Sequence, residues 1–337
     1  MTDPSATRGR TADRPDEIPA RGWWDISWRV IKRLGSDNVS LVSGGLAMYA
    51  LLSVFPALAT LVFVYGLFAT PGEVLQQMRA FSGVLPPGTW TLFETQLQSI
   101  VTHDQRTLTI AAGTSGLVSL WSARSGMSAL MTATNIAYGE REKRSFLVQV
   151  LVSLGFTLLA VGGFLSLLAL GVVVPLALEA LGTSAWVKVA ADVLRFGLLW
   201  LMTLLGLAFI YRYAPARERA RWRWVTWGSA IAATLWLAAS ALFAVYVSTF
   251  GSYGRTYGAL GGVIVLLMWF YISSFIVVLG AEINAEMERQ TVQDTTVRGA
   301  PLGRRGAYAA DTVGPSAGEA DSPGDKRGIA EPGHGRG

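Results

Sequence analysis

The chain has no cysteine and only two histidines, His103 and His334, in 337 residues. Disulfides, thiolate metal sites and cysteine nucleophiles are therefore excluded. With the second histidine in a Gly- and Pro-rich tail, no cluster with zinc-ligand spacing can be assembled. Charge is also scarce: 15% of residues are charged, against about 25% in an ordinary soluble domain. Hydrophobic residues make up 51%. Mean hydropathy is +0.40 even though both ends are strongly polar, so the middle of the chain is poorer still in charge. One integral membrane domain follows. The first 38 residues carry several charges and no apolar h-region, so no cleavable signal peptide is expected and the first apolar run should act as an uncleaved anchor.

The cations that are present follow a pattern. Lys and Arg number 7 before the first charge-poor apolar run, then 2, 4, 2, 5 and 1 in the connections, and 7 after the last. The positive-inside rule produces this alternation in a protein with six membrane helices and both termini in the cytoplasm. A pI of about 9.6 invites a nucleic-acid reading. The basic residues sit in short loops beside apolar runs, however, where orientation and anionic headgroups at the cytoplasmic face account for them. The expected partners are membrane lipids and not nucleic acid, in a bacterial inner membrane. The sequence does not indicate an oligomeric state.

The predicted fold class is all-α. It is a six-helix transmembrane bundle with spans at about 44–69, 107–123, 147–175, 190–211, 226–250 and 257–281 in a membrane domain of residues 22–290. Residues 1–21 and 291–337 are rich in Pro, Gly, Arg and Asp and are expected to be disordered. Trp24, Trp28 and Ile31 recur at i, i+4 and i+7, with Arg29, Lys32 and Arg33 on or near the polar face, which predicts a short helix lying in the cytoplasmic interface. Pro56 falls inside the first run and predicts a kink, with Ser53 available for a freed carbonyl. Two helical stripes separated by Pro86-Pro87-Gly88 predict an extracytoplasmic helical hairpin over Pro71 to Arg106. The run from Thr107 to Ala123 carries Thr114, Ser115 and Ser119 and is the most polar span. It must face protein or water, and so is expected at the centre of the bundle. Lys188, Asp192 and Arg195 are spaced for an ion-paired ladder. Gly258 and Gly262 form a G-x-x-x-G that permits close helix approach.

Two clusters stand out: Leu120-Trp121-Ser122-Ala123-Arg124-Ser125-Gly126, continuing through Asn135 and Tyr138 to Arg144, and Tyr257-Gly258-Ala259-Leu260-Gly261-Gly262 followed by Leu279-Gly280-Ala281-Glu282-Ile283-Asn284-Ala285-Glu286. Together with Ala50-Leu51-Leu52-Ser53-Val54-Phe55-Pro56, they resemble the YihY/BrkB family of bacterial inner-membrane proteins from about Trp24 to Gln290. The resemblance implies six spans, cytoplasmic termini and no established biochemical activity. Members have been called virulence or serum-resistance factors and linked to envelope lipid or lipopolysaccharide export. Some carry the label ribonuclease BN, but a metal-dependent ribonuclease needs several His, Asp and Glu ligands. A His-rich dinuclear site cannot be made here.

Arg124, at the cytoplasmic end of the second span, reads either as a phosphate or carboxylate contact or as a positive-inside anchor. Glu282 closes the sixth run. It is either a functional ionisable residue or an interface carboxylate paired with Arg124, the first choice, or Arg212; exchanging the charges of Arg124 and Glu282 would then partly rescue the defects of Arg124→Ala and Glu282→Ala. Asn135 and Tyr138 suit capping or binding equally, and Tyr257 suits the aromatic belt. No Gly-rich phosphate loop, Ser-His-Asp arrangement or carboxylate pair appears in the spans, so no cofactor and no enzyme activity are expected. Two functions remain open. One is transport of a lipid or another amphipathic envelope component, with a polar route along Thr114, Ser115 and Ser119 to Arg124. The other is a non-transporting membrane scaffold or envelope-assembly factor.

Reporter fusions at Gly88, Gly139 and Gly314 should read outside, inside and inside. An outside signal at Gly139 would remove the second crossing and the charge alternation with it.

Overall fold

The computed structural model describes residues 6–66, 105–168, 184–250 and 259–318. Seven long helices hold most of them: α1 (Ala20–Ser36), α2 (Val39–Gly66), α3 (Gln105–Tyr138), α4 (Phe146–Leu168), α5 (Ala185–Tyr213), α6 (Trp222–Phe250) and α7 (Ala259–Glu288). A single turn, α8 (Tyr308–Asp311), follows. No strand occurs among the described residues, apart from an isolated antiparallel bridge between Ala220 and Thr296.

By length and composition, α4, α5, α6 and α7 are each apolar enough to cross a membrane. The bent pair α1 and α2, at 64° to one another, makes a fifth if counted as one span. The bend has a local cause. Asn38 adopts φ +51°, the left-handed conformation that asparagine tolerates after a helix end. Its N–H returns to the Gly35 carbonyl at 3.1 Å, and that of Asp37 to Arg33 at 2.9 Å. α3 is one continuous 34-residue helix, about 51 Å long at 1.5 Å per residue. Its Gly, Ser and Thr content keeps it out of the apolar set. Arg124 is thus in mid-helix, with α3 continuing beyond the end of the charge-free run to Tyr138. The hairpin expected over Pro71 to Arg106 lies outside the described residues, except that Gln105 and Arg106 begin α3. The Gly258 end of the G-x-x-x-G also lies outside them, as does Arg255.

The helices pack as a ring in chain order, α2 to α7, closed by α7 against α2, and α7 also touches α1, α3 and α5. The central helix is therefore α7 and not the polar α3. Thr114 is exposed, donating to the Ile110 carbonyl at 3.0 Å, and Leu117 beside it is 71% exposed. α7 can be central because it is small where it meets α5 and α6. A Cβ on Gly280 would overlap the Tyr211 hydroxyl and come within 2.7 Å of the Ala232 Cβ. The Tyr211 hydroxyl donates to the Val277 carbonyl at 2.8 Å. One turn on, Asn284 is fully buried. It accepts from the Gly228 N–H at 3.0 Å and donates to the Val225 carbonyl at 3.3 Å, joining α7 to α6.

Both described chain ends lie at one end of the ring, and they are folded where disorder was expected. The Val292 N–H donates to the Arg10 carbonyl at 2.8 Å, and Gln290 donates to the Arg8 carbonyl at 2.7 Å. Arg8 forks onto Asp25 at 2.8 and 2.9 Å. Arg305 donates to the carbonyls of Val292, Gln293 and Ala310 at 2.6 to 2.9 Å. The low apolar content that suggested disorder is offset by these polar contacts, which tie residues 6–21 and 291–318 to α1 and α7. Residues 319–337 lie outside the described set.

α1 departs furthest from expectation. Trp24 and Ile31 are exposed, at 68% and 70%, while Arg29 and Arg33 point into the protein. Arg29 Nε meets Glu286 at 2.7 Å, Arg33 Nε meets its other oxygen at 2.9 Å, and Arg289 adds a third guanidinium at 3.0 Å. All four side chains are at most one-tenth exposed. Removing one partner of a buried ion pair costs about 3–5 kcal/mol, because the survivors keep their desolvation penalty. Glu286→Ala should therefore lower thermal stability of the purified full-length protein by an amount in that range. Lys32→Ala, on the exposed side of α1, should change it by less than about 0.5 kcal/mol.

Candidate functional site

Two polar features emerge from this packing: a cleft on the seam of α2 and α3, and a carboxyl pair at the α1–α2 bend. The cleft encloses about 470 Å³. It exists because α2 offers Gly45, whose missing side chain leaves open space, opposite a hydroxyl-bearing stripe of α3. Ser125, Ser128 and Thr132 recur at three- and four-residue spacing along that stripe, with Tyr49 of α2 and Arg124 at one end. Ser125 and Thr132 donate to their own helix, to the Trp121 and Ser128 carbonyls at 3.0 and 3.1 Å. Their lone pairs and the Ser128 hydroxyl complete a polar wall.

Arg124 is 9% exposed. Its guanidinium lies 4.9 Å from the Trp121 ring centre, its Nε is buried without a hydrogen-bond partner, and among the described residues no carboxylate pairs with it. The expected Arg124–Glu282 pair is not formed, and Arg212 does not substitute. Glu282 is fully buried, with neither carboxyl oxygen in a hydrogen bond to the described residues, and Asp37, Arg33 and Glu286 are the charged groups that act on it. Two buried carboxyls that act on one another are costly when both are ionised. Burial pushes the Asp37 carboxyl above its ordinary 3.8, against the pull of Glu282, Arg33 and Ser36. The spans themselves show no carboxylate pair in sequence, but folding makes one at their edge.

The other expected positions divide between structure and surface. Ser53 donates to the Ala50 carbonyl at 2.7 Å, not to the Leu52 carbonyl that Pro56 leaves free, and α2 continues through Pro56. Ser115 is half-buried on α3. Asn135 accepts from the Ala216 N–H at 2.7 Å and donates to Glu142 at 3.2 Å, anchoring the loop after α5. Tyr138 is buried 4.1 Å beneath the Arg217 guanidinium, and burial raises its phenol pKa. Arg217 forks onto Glu288 at 2.6 and 2.8 Å; Glu288 holds its pKa up despite burial. Asp192 and Arg195 pair at 3.1 Å, while the Lys188 side chain and Tyr257 lie outside the described residues. Sequence reasoning missed Asp37, Arg29, Arg33 and Glu286. A signal was there: Arg29 and Arg33 on one helix and Glu282 and Glu286 on another share i, i+4 spacing, so each pair lines one face.

The profile of the family described as "Virulence factor BrkB" matches residues 30–301. The ribonuclease-like protein YfkH of Bacillus subtilis is 34% identical over 262 residues, covering 74% of this chain and 90% of its own. UPF0761 membrane proteins of Tolumonas auensis and Idiomarina loihiensis are 28% and 27% identical, covering 77% and 78% of this chain and 83% and 90% of theirs. No solved structure matches. Among the described residues no group of three His, Cys, Asp or Glu side chains is placed to hold a metal ion.

The raised Asp37 pKa has a signed consequence. The folded state holds this proton more tightly than the unfolded chain, so its contribution to stability is full below the ordinary aspartate range and is lost as pH rises through the raised value. Asp37→Asn should therefore gain stability relative to the parent as pH increases above about 4, read as diverging melting temperatures in a pH series in detergent. Parallel curves would contradict a raised Asp37 pKa in the folded state.

Proposed function

The chain belongs to the BrkB virulence-factor family of membrane proteins, and on that premise we propose that it moves the headgroup of an anionic amphiphile along the α2–α3 cleft. One observation carries this reading: an almost fully buried arginine without a carboxylate partner, at one end of a hydroxyl-lined cleft. Arg124 lies about 21 Å along α3 from Tyr138 at 1.5 Å per residue. With Tyr138 at the polar end of the ring, Arg124 lies that far toward the membrane interior from it. An unpaired guanidinium there is costly and is a functional residue by default. Its planar fork suits a phosphate or carboxylate. The serines and threonine toward Ile136 offer the headgroup a polar path while its chains stay in lipid. The route is thus displaced from Thr114 and Ser115 to Ser125, Ser128 and Thr132.

Several features support the finer topology. The basic connections and both described chain ends share one end of the ring, which the positive-inside rule assigns to the cytoplasm of a bacterial inner membrane. α3 runs beside α2 and is long enough to cross as the sixth span. Exposed Trp24 and Ile31 would lie in the headgroup layer, completing the interfacial helix with its arginines turned inward.

In reconstituted liposomes, Arg124→Ala should slow movement of a fluorescent anionic phospholipid at least about tenfold, or about 1.4 kcal/mol, with Arg124→Lys intermediate and thermal stability retained. Equal movement in variant, parent and empty liposomes would sink transport and leave the membrane scaffold as the better account.

A further inference from the structure

A second cleft, of about 580 Å³, lies between α4 and α5 at the same end of the ring as the chain termini. Its composition is divided. Phe156, Leu159 and Phe209 form an apolar wall, and Arg144, Arg212, Arg217 and Arg219 form a cationic rim. Two of these arginines are already committed to the fold. Arg144 donates to the carbonyls of Tyr213, Ala214 and Pro215 at 2.7 to 3.1 Å. Arg217 is locked onto Glu288.

The other two are not. Arg212 has Nε and Nη1 buried without a hydrogen-bond partner. Its guanidinium lies 4.2 Å from the Trp222 ring centre and 5.2 Å from that of Tyr213. Arg219 is exposed, and its guanidinium lies 5.2 Å from the ring centre of the same Tyr213. Among the described residues no carboxylate reaches either arginine. Aromatic rings hold the planar cation in place but leave its N–H groups unmatched. A buried cation without an anion is costly, and a phosphate is the ligand whose oxygens match a guanidinium fork.

The apolar wall identifies what carries the phosphate. Leu151 and Leu158 of α4 and Leu205 of α5 are more than half exposed, so the outer faces flanking the cleft are those of membrane-facing helices. Leu159 and Phe209, half and 38% exposed, continue this surface into the cleft. α4 begins at Phe146, just after Arg144. The cleft therefore spans the level at which headgroups give way to acyl chains. A soluble anion would use the rim and leave the wall bare.

We infer that the α4–α5 cleft is a binding site for an anionic glycerophospholipid, its phosphate between Arg212 and Arg219 and an acyl chain against Phe156, Leu159 and Phe209. This site is separate from the α2–α3 cleft and does not depend on transport. A bound lipid would bridge two ring helices and neutralise the loop that follows α5.

The test uses the purified full-length protein in detergent, with lipid retention read by native mass spectrometry and stabilisation by thermal melting. Phosphatidylglycerol should be retained and should raise the melting temperature, and phosphatidylcholine and inorganic phosphate should do neither. Arg212→Gln with Arg219→Ala should weaken phosphatidylglycerol retention at least tenfold, and Leu159→Ser should weaken it less. Lipid-free melting temperatures should be unchanged. Equal retention of the two lipids, full retention by the double variant, or stabilisation by inorganic phosphate equal to that by phosphatidylglycerol would each overturn the proposal. The first comparison needs only the parent protein, so a poorly folded variant cannot shelter it.

Discussion

The carboxylate of Glu286 is the point on which the polar end of the molecule is assembled. Three guanidinium groups, from Arg29, Arg33 and Arg289, converge on its two oxygens in a setting from which water is excluded. None of these ions is tolerable alone at that burial, so each requires the others. Arg29 extends the same knot further, to the Glu286 carbonyl at 2.9 Å, to Gln290 at 2.7 Å and to the Pro315 carbonyl at 3.0 Å. One side chain of α1 thereby fixes the end of α7 and a segment of the C-terminal region. The directions of α1 and α2 follow, because Asp37 and Asn38 turn the chain directly after Arg33.

With α7 held at that end, its other contacts are decided by size. Gly280, Ala281 and Ala285 let α5 and α6 approach, and buried Asn284 sets the register against Gly228. α3 is left on the flank of α2, and so a polar helix presents a groove instead of a packed core. The cleft is a consequence of what occupies the centre.

The arginines of this protein sort by whether the fold satisfies them. Arg29, Arg33, Arg144, Arg217 and Arg305 end on carboxylates or carbonyls and act as fasteners. Arg124 and Arg212 end on aromatic rings, with buried N–H groups unmatched. Composition makes all seven look alike, as basic residues beside apolar runs. Four of them line clefts, and of those four Arg124 and Arg212 lack a carboxylate partner among the described residues; these two carry the functional proposals.

Hydropathy and cation density are sums over neighbouring residues, so the membrane class, the positions of the apolar runs and the grouping of basic residues at one end were all legible in the chain. The family was legible as well, because its motifs are contiguous. What each charge does was not. Arg29 reaches Glu286 across 257 positions, and the helical periodicity of α1, which correctly separates Trp24 and Ile31 from Arg29 and Arg33, cannot say which side faces protein. Residues 6–21 and 291–318 read as disordered because their contacts are polar and lie mostly with each other and with the ends of α1 and α7. The charge-free run stops at Arg124, whereas the helix itself carries α3 on to Tyr138. Local composition determines which solvent a segment tolerates; which partner satisfies a buried charge is a property of helices brought together from opposite ends of the chain, and only the tertiary structure supplies it.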